Sequence, residues 1–180
     1  MPAICVFCGS SSGADERYIA AARKLAARMV STGCSLVFGG GKVGLMGVVA
    51  DEMLRQSGKV IGVIPQFLYK REVGHDGVTQ LEIVQSMHER KKRMAELSDA
   101  FIAMPGGWGT LEELAEILTW KQLGLISQPV GILNVNSFFD PLLNQFQHMV
   151  DQGFLASANR DLLIVADDPA ILVDRLKLTS

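Results

Sequence analysis

The chain has 180 residues, 48% of them hydrophobic, with 17 Lys and Arg against 19 Asp and Glu and a formal net charge of −2. That is the size and apolar content of one domain with a substantial core, and a second domain is not expected. The slightly acidic balance gives no general attraction to a polyanion, so no nucleic-acid partner is expected, and no run approaches the roughly 20 apolar residues of a membrane span.

The segment Met1-Pro2-Ala3-Ile4-Cys5-Val6-Phe7 lacks a basic stretch and a cleavage signal. It reads as a buried strand over 3–8, and the expected location is cytoplasmic. A helix is predicted over 15–32, with Ile19, Ala22, Leu25, Ala26 and Met29 on one face and Gly33 closing it. Strand 34–38 runs into Gly39-Gly40-Gly41 and a helix to about Ser57, and strand 59–64 is stopped by Pro65. Residues 65–80, with Gly74, His75, Asp76 and Gly77, read as a loop with room for one short helix.

A strand near 81–85, a helix over 87–98 and a strand over 100–104 come next. A glycine-rich turn then leads into a helix from about Thr110. Strand 130–135, helix 138–152, strand 162–166 and a helix from Asp168 complete the pattern. Such alternation predicts an α/β fold: a single Rossmann-like, doubly wound domain with a parallel sheet and helices on both faces. Ligands in such folds bind beyond the carboxyl ends of the strands, which is where both glycine turns and the start of helix 87–98 would lie.

Cys5, Cys8 and Cys34 are odd in number, and Cys5-x-x-Cys8 has no second pair to complete a zinc site. Residues three apart in a strand face opposite ways, so buried free thiols are expected. His75, His88 and His148 have no metal-ligand spacing, and neither metal nor cofactor is expected.

The most informative segment is Pro105-Gly106-Gly107-Trp108-Gly109-Thr110-Leu111-Glu112-Glu113. A glycine-rich strand-to-helix turn is a phosphate cradle, because glycines let the backbone approach an anion and the helix N-terminus favours negative charge. The purely structural reading is a capping box of Thr110 and Glu113. Three glycines in four residues exceed what a cap requires. Gly39-x-Gly41-x-x-Gly44 fits the dinucleotide spacing, but strand 59–64 ends without the expected carboxylate, so residues 39–47, with Gly40 and Gly41 foremost, are read as a second backbone surface against a nucleotide. The alternative for them is tight helix–strand packing.

These residues resemble the LOG ("Lonely Guy") family of cytokinin riboside 5′-monophosphate phosphoribohydrolases, often labelled lysine decarboxylases. Residues 105–113 match its PGGxGTxxE signature and Ser86-Met87-His88-Glu89-Arg90-Lys91 its second motif. The likeness extends from Cys8-Gly9-Ser10-Ser11 through residues 39–47 to Lys121-Gln122-Leu123-Gly124. The resemblance implies hydrolysis of the N-glycosidic bond of AMP or an N6-modified AMP, giving free base and ribose 5-phosphate. It implies Arg90 and Glu113 as the catalytic pair, and Gly106, Gly107, Trp108, Gly109 and Thr110 around the 5′-phosphate. Met87 and Lys91 would line the site, with Glu72 and Thr119 as looser matches. A homodimer is implied as well, for which the apolar helix faces with Trp120, Leu123 and Leu125 are the candidate surface.

The residue chemistry agrees. Breaking the C1′–N9 bond builds positive charge on the ribose, which a fixed carboxylate such as Glu113 stabilises, while the planar, permanently charged guanidinium of Arg90 orients it or the substrate oxygens. A competing reading is a non-catalytic nucleotide-binding carrier or regulator, which would have no need of a carboxylate beside the anion. Pyridoxal-phosphate decarboxylation would need a Schiff-base lysine in the pocket, for which Lys91 is the one plausible residue.

Overall fold

A computed structural model describes residues 1–72 and 74–178, with the backbone alone at Glu72. The apolar runs form β1 (Ala3–Phe7), β2 (Ser35–Phe38), β3 (Val60–Pro65), β4 (Gln80–Val84), β5 (Ala100–Ala103), β6 (Val130–Leu133) and β7 (Leu163–Ala166). The helices are α1 (Glu16–Ser31), α2 (Gly44–Arg55), α3 (Gln66–Glu72), α4 (Met87–Glu96), α5 (Trp108–Gln122), α6 (Asp140–Asp151), α7 (Ser157–Arg160) and α8 (Pro169–Arg175).

All strand pairs are parallel, in the order β4-β3-β2-β1-β5-β6-β7. Strands β1, β2, β3, β5 and β6 are buried throughout, which is why they read as unbroken apolar runs instead of alternating ones. The chain moves outward from β1 through α1 and α2, then returns through α4 to β5 and continues the other way. Right-handed crossovers therefore place these two sets of helices on opposite faces.

The two cores reflect this. One joins Ile4, Val6 and Cys8 to Leu25, Met29, Leu45 and Met53 of α1 and α2 and to Leu172 of α8. The other joins Cys5, Phe7 and Phe101 to Met94 of α4 and to Leu114 and Ile117 of α5. Cys5 and Cys8 thus face opposite sides, and all three cysteines are free and buried.

Several boundaries differ from the sequence reading. Pro65 does not stop β3 but ends it, paired with Val84 of the edge strand β4. The residues after Gly41 do not open α2 at once; the helix begins at Gly44, whose φ of +61° makes the entry turn. β6 ends at Leu133, and Val135–Ser137 form a 3₁₀ turn in which Asn136 and Ser137 take positive φ. No helix of the described residues is long and apolar enough to cross a membrane.

Candidate active site

The chain changes direction between β1 and β5, so the loops leaving these two neighbouring strands diverge and leave a crevice at their carboxyl ends. A cleft of about 530 Å³, counting its open mouth, lies there. Its walls are Cys8, Gly9 and Ser10 after β1, Met46 of α2, Arg90 of α4, and Gly107, Trp108, Gly109, Thr110 and Glu113 at the start of α5.

Close backbone contact builds the floor. Gly9 N–H donates to Pro105 C=O at 3.1 Å, and Leu45 N–H donates to Gly9 C=O at 3.0 Å. A methyl group on Gly106 would overlap Thr110 Oγ1 and lie 2.8 Å from Gly9 N, so only glycine lets the two loops meet. At Gly107 and Gly109 the space a methyl would take is empty within 4 Å. Those two glycines border the cleft, with the N-terminus of a 15-residue helix behind them. Free N–H groups and the positive end of the helix dipole at the cleft are the features that favour an anion.

The expected capping box at Thr110 and Glu113 is not formed. α5 begins at Trp108 with Gly107 as N-cap and no side-chain cap, so Thr110 is already the third helical residue and Glu113 the sixth. The physical reason is register: the helix starts three residues before the start that a Thr110 cap would give, with Gly107 as its N-cap at φ −99° and ψ −148°. A side-chain cap does occur at α4, where Ser86 accepts from Glu89 N–H at 3.1 Å and the Glu89 carboxylate accepts from Gln85 N–H at 2.8 Å. Glu89 is thereby taken up in the cap, and Arg90 is not its ion-pair partner.

Arg90 is buried, 7% exposed. Its Nε donates to Val63 C=O at 3.1 Å and its Nη2 to Gly39 C=O at 2.9 Å, while Nη1 lies 3.9 Å from Met87 Sδ. A guanidinium has five N–H donors, so this anchoring leaves two for the cleft. Gly39 is part of the arrangement, since a methyl there would overlap Arg90 Nη2. Glu113 is partly exposed to the cleft, yet burial pushes its carboxyl up to about 7 against the opposing pull of Arg90. Burial, helped by Glu113, also holds the Cys8 thiol well above its ordinary value, so it stays protonated and inert.

The remaining predicted residues fall elsewhere. Met87 touches Arg90 and not the cleft wall. Lys91 is bound by Glu112 and Glu116. Gly40 and Gly41 make neither cleft wall nor helix–strand packing: Gly40 lies against Ile64 of β3 and Leu81 of β4, and Gly41 forms an antiparallel bridge with Gly74. Thr119 donates to Ala115 C=O and borders a separate, mostly apolar groove with Leu118 and Phe146. The Glu72 side chain lies outside the described residues. Cys8, Gly9, Ser10 and Met46 are missing from the predicted site residues, although Met46 falls in the segment 39–47 read as a surface against the nucleotide. The signal for the first three is the strand order, which brings the β1 loop opposite the β5 loop.

A family profile described as "Possible lysine decarboxylase" matches residues 46–176. The cytokinin riboside 5′-monophosphate phosphoribohydrolase LOG of Oryza sativa subsp. japonica is 47% identical over 97% of this chain and 72% of its own length. The cytokinin riboside 5′-monophosphate phosphoribohydrolase LOG1 of Arabidopsis thaliana is 45% identical over 97% of this chain and 82% of its own length. Among solved structures, the molybdenum cofactor binding protein of Rippkaea orientalis superposes with a TM-score of 0.73 at 23% identity, covering 98% of this chain and 95% of that one. At that identity the likeness is one of fold.

Proposed function

The chain belongs to the LOG family of cytokinin riboside 5′-monophosphate phosphoribohydrolases, and from that premise we propose that it hydrolyses the N-glycosidic bond of adenosine or cytokinin riboside 5′-monophosphates, releasing free base and ribose 5-phosphate. The observation that carries this reading is the pairing, in one cleft, of a glycine-bordered helix N-terminus with a carboxylate and an anchored arginine.

The 5′-phosphate sits on the backbone N–H groups of residues 107–110 at the head of α5. The ribose extends from there along α5 toward Glu113. As C1′–N9 stretches, the ribose becomes cationic and the Glu113 carboxylate stabilises it. A water oxygen bonds to C1′, the bonding pair leaves with N9, and one water proton ends on the base. The two free Arg90 donors face the cleft and hold either the Glu113 carboxylate or a ribose oxygen in register. The phosphate contributes by fixing the reacting carbon in place.

The decarboxylase description fits these residues poorly. Pyridoxal chemistry needs a lysine to form a Schiff base, and the cleft lining contains none. A carrier of nucleotides would use the anion site without needing Glu113 where it stands.

The exposed apolar side chains Leu123, Leu125 and Phe154, 64%, 68% and 87% exposed, support a homodimer. Trp120 is not among them, since it packs on the α5 side of the core. Three buried free thiols suit a reducing, cytoplasmic setting. Incubation with AMP and with N6-isopentenyladenosine 5′-monophosphate, followed by chromatography, tests the activity. Free base from at least one is expected, and release of neither overturns the reading.

A further inference from the structure

One end of the Arg90 guanidinium is held by the carbonyl of Gly39, and Gly39 opens the run Gly39-Gly40-Gly41. Consecutive glycines have no side chains to pin them and more backbone freedom than other residues. A methyl at Gly39 would lie 1.9 Å from Arg90 Nη2, so the run cannot gain a side chain there without moving Arg90. This support is therefore loose by composition, and its placement has to be fixed from outside.

Residues 74–76 supply the fixing. Gly41 forms its antiparallel bridge with Gly74, and His75 N–H donates to Gly40 C=O at 2.9 Å, one peptide from the carbonyl that holds Arg90. The His75 ring reaches α2, where Nε2 and Asp51 Oδ1 are 2.9 Å apart. A carboxylate has no proton to give, so the ring nitrogen is the donor. The same segment is tied to α3, where Tyr69 Oη donates to Asp76 Oδ1 at 2.9 Å. His75 is thus bonded through its backbone to the glycine run and through its ring to α2.

Neither His75 nor Asp51 lines the cleft. The His75 side chain is 11% exposed and that of Asp51 72%, and a pair with one partner in water adds little to global stability. What such a pair can do is select one placement of a turn whose alternatives differ little in energy.

Resting on the phosphoribohydrolase reading of the cleft, we propose that His75 is a positioning residue: tied to Asp51, it holds the glycine run 39–41 so that the Gly39 carbonyl keeps Arg90 in its working placement. The contacts run in sequence from Asp51 to His75, Gly40, Gly39 and Arg90. The effect of His75 on turnover therefore passes through Arg90.

The test uses His75→Ala, His75→Gln, Asp51→Ala, and Arg90→Lys alone and with each alanine change. Base release is measured on the nucleotide that the wild type hydrolyses, with melting temperature for each variant. His75→Ala and Asp51→Ala should each lower kcat about tenfold with KM within about threefold, as expected for a misplaced group. The melting temperature of Asp51→Ala should stay within about 4 °C of wild type. His75→Gln, whose amide nitrogen reaches where Nε2 stands, should stay within about threefold of wild-type kcat. In the Arg90→Lys background each alanine change should alter kcat by less than about twofold, because the group it positions is gone.

Wild-type kcat in Asp51→Ala overturns the proposal, and so does a raised KM at unchanged kcat, which marks a role in substrate binding. Losses that multiply with Arg90→Lys overturn it equally, since His75 would then act apart from Arg90. If His75→Ala fails to fold, or Arg90→Lys leaves no turnover to measure, kcat and KM of Asp51→Ala decide. Failure of the wild-type protein to release base from either nucleotide overturns the underlying reading instead, and is seen before any variant is made.

Discussion

Glu113 carries a conflict between stability and activity. Burial raises its carboxyl to about 7, so the folded protein prefers it neutral, whereas the proposed chemistry needs it charged. A carboxyl raised above its unfolded value contributes stability that is full below about 4.5 and is lost as pH rises through about 7. Glu113→Gln cannot ionise and should escape that loss. Urea unfolding should find it more stable than wild type at pH 8, by on the order of 1–3 kcal/mol, with the gap closing near pH 4. Its kcat for AMP should nonetheless fall by about two to three orders of magnitude. A variant that loses activity together with stability at pH 8 would show that Glu113 supports folding and not chemistry. Wild-type kcat should itself decline as pH falls below about 7.

At the scale of elements, the start of α5 decides the site, and there the sequence was legible in kind but not in register. Three glycines after an apolar run predict a strand-to-helix turn, which residues 106–109 form between β5 and α5. The same glycines hid the helix start, because a propensity reading ends a helix at glycine and pushed the cap to Thr110. Thr119 was misplaced for a related reason. It stands six residues after Glu113, about 240° around the helix, and so faces the α5–α6 groove. The hold on Arg90 by Val63 and Gly39 carbonyls leaves no sequence trace, since any residue offers a carbonyl. Two glycines separate the roles. Gly109→Ala has open space and a helical setting, so its stability should hold or rise by up to about 1 kcal/mol while KM for AMP increases. Gly106→Ala should lower stability by about 1–3 kcal/mol, because its methyl meets Thr110 and Gly9. Urea melts and AMP kinetics on both variants check this, and a matching KM for Gly109→Ala and wild type would remove the phosphate from that glycine.

Over the whole molecule, alternating strand and helix patterns specified the parallel, doubly wound sheet because each central strand is buried on both faces and each helix on one. Strand order was beyond that pattern, and with it the meeting of the β1 and β5 loops that adds Cys8, Gly9 and Ser10 to the cleft, while the start of α2 bonded to Gly9 adds Met46. The exposed Leu123, Leu125 and Phe154 predict a dimer by light scattering at micromolar concentration, and Leu125→Glu with Phe154→Glu should give a monomer. A monomeric wild type would refute that surface assignment. The central claim is that cradle and carboxylate act on one molecule, with phosphate binding at one end used for bond cleavage at the other. It is tested most directly by kcat/KM for AMP against adenosine in the same base-release assay. AMP should exceed adenosine by about a thousandfold or more, with ribose 5-phosphate formed in equal amount to adenine. Comparable values for the two substrates would contradict the account.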